Sequence, residues 1–347
     1  MYICKDNTVE IYFKTGEGVY LNIELLQKYL SPCFEVVEIS GKERYIDIQL
    51  MSFLSKNNFE PIIGNQMEAC LLHLGRPAHR KISGESLWVC YDTIPISYYA
   101  DINGITMFSD FLSEVDYYDL VRLLMAVFEI KQLKRGYIRC HMALLQIDDL
   151  AVALIGDKNA GKTTFMCNLL NTKQHTVSFG ANDKCYVKVR EDGLYALGSF
   201  EYIGIRNVTG ACFRGLESYS AFEASGMSFY WPGDLIRYFN KDYLGEVKID
   251  FAIAPSINMS VKELECVKYK LSYDAFSQFF FEFSDENHMN WLTKVLIDIH
   301  SLNVSFINEM KKEIYNFFTD NGLYQVLGNP YDADYLCSII KESRFLS

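Results

Sequence analysis

Residues 150–170 read LAVALIGDKNAGKTTFMCNLL. An apolar run breaks at Gly156 into a glycine-bounded loop and resumes at Lys162 with helical spacing. Gly156 to Thr163 spells G-x-x-x-x-G-K-T, and each position has a physical duty. The two glycines let the backbone curl so that successive N–H groups point into one concavity, which binds an anion. Lys162 brings a point charge to that anion's outer end. The Thr163 hydroxyl stands where it can ligate magnesium, and the helix start adds its positive dipole end. Such a loop works only between a buried strand and a helix, and LAVALI and TTFMCNLL supply both. Gly156, Asp157, Lys158, Asn159, Ala160, Gly161, Lys162, Thr163 and Thr164 are therefore expected to hold the phosphates of a nucleoside triphosphate.

The surrounding patterns place this unit in a layered α/β domain. Asp148-Asp149 divides two apolar runs, so YIRCHMALLQIDDLAVALIG reads as a hairpin whose second strand feeds the loop. HTVSFG reads as a strand, DKCYVKVREDGLYALG as a hairpin turning at Asp192-Gly193, and VKIDFAIAP as a buried strand closed by Pro255. The last sixty residues read as mostly helical, with Asp332 as an N-cap. Upstream, TVEIYFKTG and FEVVEIS alternate as strands, IELLQKYL has helical spacing, and Tyr117 to Ile130 reads as a helix. The change of pattern at KQLKRG divides the chain into a smaller α+β domain, 1–130, and an α/β domain with a mixed sheet, 131–347.

Composition removes several function classes. With 44 Asp plus Glu against 33 Lys plus Arg, the net charge is -11, which argues against nucleic acid as a partner. No apolar stretch approaches the roughly eighteen residues that mark a membrane span. The N-terminal MYICKDNTVEIYF lacks the layout of a signal peptide, so a cytoplasmic location is expected. The ten cysteines are scattered singly and read as reduced thiols packed as small hydrophobes.

Residues beyond the loop narrow the chemistry. There is no N-K-x-D to select guanine and no L-S-G-G-Q-like run of a transport ATPase. VSFGANDKCYV instead ends a strand on Asn182-Asp183, at the strand end where such a loop lies. A carboxylate there can bind magnesium or accept a proton from an attacking hydroxyl. Upstream, His141 opens the hairpin strand, 21 residues ahead of Lys162.

Together, His141, the hairpin, the GDKNAGKT loop and Asp183 resemble the kinase domain of the HPr kinase/phosphorylase family and its peptide- and small-molecule-kinase relatives, which share an architecture with phosphoenolpyruvate carboxykinase. The likeness runs over residues 135–260. YIGIRNVTG resembles the family's Glu-Ile-Arg-Gly segment around Ile205-Arg206. Two positions depart from the pattern. The acidic pair is Asn182-Asp183, and Gly204 stands where the family has a metal-binding glutamate, leaving Glu201 as a substitute.

The resemblance implies an ATP- and magnesium-dependent kinase that transfers the γ-phosphate to a serine or threonine hydroxyl of a peptide or small protein. Lys162, Asp183 and His141 would be catalytic, with Asp183 taking the hydroxyl proton. Thr163, Asp183 and Glu201 would hold the metal, and Arg206, Arg214 or Arg237 would supply a further cation. The resemblance also implies assembly of like subunits. A kinase for small hydroxyl compounds and a nucleotide sensor that transfers nothing are the alternatives. The aromatic, glycine-containing stretch 218–235 reads as an ordinary connection or, alternatively, a substrate loop.

Overall fold

The computed structural model describes residues 1–6, 8–40, 45–52, 67–72, 76–83, 86–92, 94–157, 159–257, 264–280 and 290–343. They form a mixed α/β protein whose helices are α1 (Ile23–Leu30), α2 (Glu114–Lys134), α3 (Lys162–Leu170), α4 (Asn207–Gly210), α5 (Pro232–Phe239), α6 (Tyr273–Ser277), α7 (Asn290–Ile299), α8 (Phe306–Asn321) and α9 (Ala333–Ser343). Among the described residues, no helix is long and apolar enough to cross a membrane. The chain divides into two units, Met1–Arg135 with Glu282–Asn303, and Gly136–Phe281 with Val304–Ser347.

The first unit carries β1 (Tyr2–Lys5), β2 (Glu10–Thr15), β3 (Glu35–Glu38), β4 (Ile48–Met51), β5 (Glu68–Leu72), β6 (Arg76–Ser83), β7 (Ser86–Tyr91), β8 (Ser97–Asp101) and β9 (Gly104–Phe108). They form one sheet in the order β3-β1-β2-β4-β9-β8-β7-β6-β5. Helix α2 starts where Ser113 and Asp116 cap each other reciprocally, satisfying amides that the first turn leaves without partners. Thr293 of α7 donates to the buried Glu129 carboxylate of α2 at 2.9 Å. That bond places α7 with the N-terminal unit, whereas a boundary after residue 130 would have assigned it to the second domain.

The second unit is built on a seven-stranded mixed sheet and a four-stranded antiparallel one. The strands are β10 (Ile138–Cys140), β11 (Ala143–Ile147), β12 (Leu150–Leu154), β13 (Val177–Ala181), β14 (Cys185–Arg190), β15 (Gly193–Leu197), β16 (Ile203–Arg206), β17 (Phe222–Ala224), β18 (Met227–Tyr230), β19 (Asp242–Tyr243), β20 (Val247–Lys248), β21 (Phe251–Ile257), β22 (Glu265–Lys268) and β23 (Leu323–Gly328). The large sheet runs β19-β13-β11-β12-β21-β23-β22 and the small one β10-β14-β15-β20. The β11–β12 hairpin turns where Asp148 adopts φ 53°, a left-handed conformation that aspartate tolerates. Phe165, Met166 and Leu169 of α3 join Val152, Leu154 and Ile253 in a core from which water is excluded. Burying each such side chain contributes about 1.5–3 kcal/mol.

The last sixty residues are mostly helical, as their pattern predicts, and Leu323–Gly328 adds β23, inserted between β21 and β22. One expectation needs correction. Pro255 does not close its strand. It lies inside β21 opposite Val326, after β12 has ended, so its missing N–H removes no ladder bond to β12. The 218–235 stretch is an ordered β17–β18 hairpin leading into α5, which Pro232 opens. Tyr202, Phe222 and Phe229 pack their rings together there.

Candidate functional site

Two chain corners build one side of the site. β10 pairs with β14 through Cys140 opposite Cys185, and β11 pairs with β13 through Leu144 opposite Ala181. The chain thus passes between the two sheets twice, at 141–142 and at 182–184. Because the flanking residues are register partners, the two corners must oppose one another. His141 lies in that bend and not on the hairpin strand where its sequence position suggested. Its N–H donates to the Phe279 carbonyl at 2.6 Å. Its Nε2 stands 3.6 Å from Asp183 Oδ1. Asp183 holds φ 62°, the left-handed conformation that aspartate tolerates in a tight bend.

The glycine loop forms the centre. Gly156, Asn159 and Gly161 all have positive φ, and α3 begins at Lys162. The loop therefore curls as the sequence requires. Lys162 is 4% exposed, and its ammonium donates to the carbonyls of Gly156 at 2.8 Å and Asp157 at 3.2 Å. Thr163 Oγ1 donates to Asn182 Oδ1 at 3.3 Å, and Thr164 shares a 3.1 Å hydrogen bond with Thr209. Lys158 lies outside the described residues.

Burial sets the electrostatics. It pushes the His141 imidazole below its ordinary value, aided by the Lys162 and Lys184 cations and opposed by Asp183. Burial likewise lowers Lys162, against the pull of Asp183 and Asp157. The histidine, the aspartate and the lysine therefore sense one another. The neutral imidazole is favoured, and it can hydrogen-bond to an oxygen without adding charge.

Other expected residues fall elsewhere. Glu201 does not stand free to bind metal, because its carboxylate pairs with Lys184. Among the described residues, no group of three His, Cys, Asp or Glu could hold a metal ion. At the helix start Thr163 Oγ1 meets Asn182 Oδ1, and Asn182 Nδ2 in turn reaches Asp183 Oδ2 at 3.4 Å. Hard oxygen donors suit magnesium, which keeps several waters and takes its remaining ligands from phosphates. Of the three arginines, Arg206 donates to Asn159 of the loop, Arg237 is held by Asp234 at 2.7 Å, and Arg214 is exposed.

A cleft of about 400 Å³ opens on the other side of the loop. Gly156, Asp157, Asn159 and Ala160 form one wall, and Tyr269, Gln278 and Gln325 lie among the residues around it. Sequence reasoning missed this part. Its members come from β21, β22, α6 and β23 and their flanks, and no local spacing relates them. The Leu-Tyr-Gln-Val alternation at 323–326 was the one signal that β23 was a strand. No family model and no curated protein matches the chain.

Proposed function

We propose that the chain is a magnesium-dependent kinase of the HPr kinase-like type, transferring the γ-phosphate of ATP to a hydroxyl of a peptide or small protein. One observation carries the reading: His141 and Asp183 meet beside a curled G-x-x-x-x-G-K-T loop, at the end of the sheet where β12 and β13 both finish. The loop's amides and the start of α3 suit the phosphates of a triphosphate. Lys162 leaves the loop carbonyls and offsets charge on the transferring group. Arg206, already on the loop, supplies a second cation. Asp183 accepts the proton of the incoming hydroxyl, and His141 orients that carboxylate. Thr163, Asn182 and Asp183 would hold the magnesium, which neutralises charge on the phosphate oxygens. Phosphoryl transfer asks mainly for positioning and charge stabilisation, so this small set is sufficient.

The peptide acceptor comes from the family resemblance. The test is incubation with γ-labelled ATP and magnesium, followed by mass spectrometry of peptides expressed with the chain. A gain of one phosphate, lost in Asp183→Asn, supports transfer. A second reading, a nucleotide sensor that transfers nothing, is favoured by one feature: a neutral Asn182 faces Thr163. Tight ATP binding with no turnover on any acceptor would select it.

A further inference from the structure

The loop has two flanks, and the sheet order separates them. His141 and Asp183 adjoin β11 and β13 on one side of β12, whereas the cleft adjoins β21 and β23 on the other. A nucleoside triphosphate is elongated, with its base at one end and its γ-phosphate at the other. If the γ-phosphate faces Asp183, the base must leave the loop in the opposite direction. We infer that the cleft between the loop wall and Tyr269 seats the nucleobase and sugar of the nucleotide whose phosphates the loop holds. This rests on the triphosphate-binding reading above and adds the site that distinguishes a nucleotide from a bare polyphosphate.

The chemistry of the walls fits that occupant. At about 400 Å³ the cleft has the size of a small-ligand pocket. Tyr269 offers an aromatic face, and Pro255, Ile257 and Phe279 extend an apolar floor. Gln278 and Gln325 each carry a donor and an acceptor, matching the mixed hydrogen-bonding edge of a heteroaromatic base. Asp157 is the one charged side chain among the described lining residues, and none of them is a cation. A second phosphate or an acidic peptide would therefore find no countercharge there. A flat, neutral ring finds stacking and amides. The position also obeys the rule that ligands of open α/β sheets bind outside the carboxyl ends of the strands. Phe279 links the two flanks, since it lines the cleft while its carbonyl holds the His141 amide.

Calorimetric titration of the full chain with magnesium plus ATP, GTP, UTP or inorganic tripolyphosphate tests the inference. At least one nucleotide should bind about tenfold or more tighter than tripolyphosphate, the scale of base–aromatic stacking. Tyr269→Ala should remove most of that advantage. Ala275→Phe, which fills the cleft from α6, should do the same, and both variants should bind tripolyphosphate like the parent, which also shows them folded. Equal binding of nucleotides and tripolyphosphate overturns the inference and leaves the loop reading standing. A nucleotide preference that survives both variants, or variants that weaken tripolyphosphate equally, overturns it too. If neither nucleotide nor tripolyphosphate binds, the loop reading fails and the inference falls with it.

Discussion

His141 Nε2 lies 3.6 Å from Asp183 Oδ1 because Cys140 faces Cys185 and Leu144 faces Ala181 in two successive strand pairings. The pair is thus a product of register, and slipping either pairing by one residue would separate it. That dependence shapes what each substitution should do.

Asp183→Asn keeps size and removes the proton acceptor. Transfer should fall about 10²–10⁴-fold, the range for loss of a positioned general base, while nucleotide binding stays measurable. Turnover and calorimetric affinity measured on one preparation decide it. A variant that retains full transfer would remove Asp183 from the chemistry.

The imidazole of His141 should titrate below its ordinary 6.5. In the window between that lowered value and 6.5, the unfolded chain binds more protons than the native one. Stability should therefore rise with pH across the window and be lost on acidification through it. Histidine proton NMR reads the midpoint directly. Asp183→Asn removes an anion and should lower it further, whereas Lys162→Met removes a cation and should raise it. Opposite shifts would contradict the geometry.

Two glycines should be intolerant of alanine, to different degrees. At Gly161, φ is 100° and an added Cβ would lie 2.5 Å from Ile257 Cδ1, a side-chain tip that can yield. Gly161→Ala should cost about 1–3 kcal/mol of backbone strain and weaken nucleotide binding. At Gly198 the added Cβ would overlap the Gly180 carbonyl oxygen, part of the β13 main chain, which cannot step aside. Gly198→Ala should reach or exceed the top of the usual ~1–3 kcal/mol overpacking range. Urea denaturation midpoints will rank the two, and the reverse order would show that β13 is the softer neighbour.

Asp148, at the hairpin turn, accepts a 2.6 Å hydrogen bond from Lys341, with further bonds from His175 and the Thr176 N–H. These hold its carboxyl down at about 2, with the Lys341 bond the largest contribution. Its stabilising effect is complete above the ordinary 3.8 and disappears as the pH falls through about 2. Asp148→Asn should flatten the acid limb of the melting-temperature profile. An unchanged slope would mean that the Lys341 contact does not persist in solution.

The strand–loop–helix unit, the Asp148 turn, the hairpin at Asp192-Gly193 and the Asp332 cap were all legible in the chain, because each depends on residues a few positions apart. Steric freedom at glycine, side-chain capping and alternation act locally and leave a local trace. The α7 assignment, the β23 insertion and the course of β21 through Pro255 were not legible, since each is settled by the neighbour that a strand or helix finds. The same division runs through the site. GDKNAGKT announced the loop, while the meeting of His141 with Asp183, the diversion of Glu201 to Lys184 and the cleft beside Tyr269 came from pairings between distant segments. A linear sequence specifies which backbone groups can curl or cap. Which remote side chains then share a space depends on register and sheet order, which only the packed chain decides.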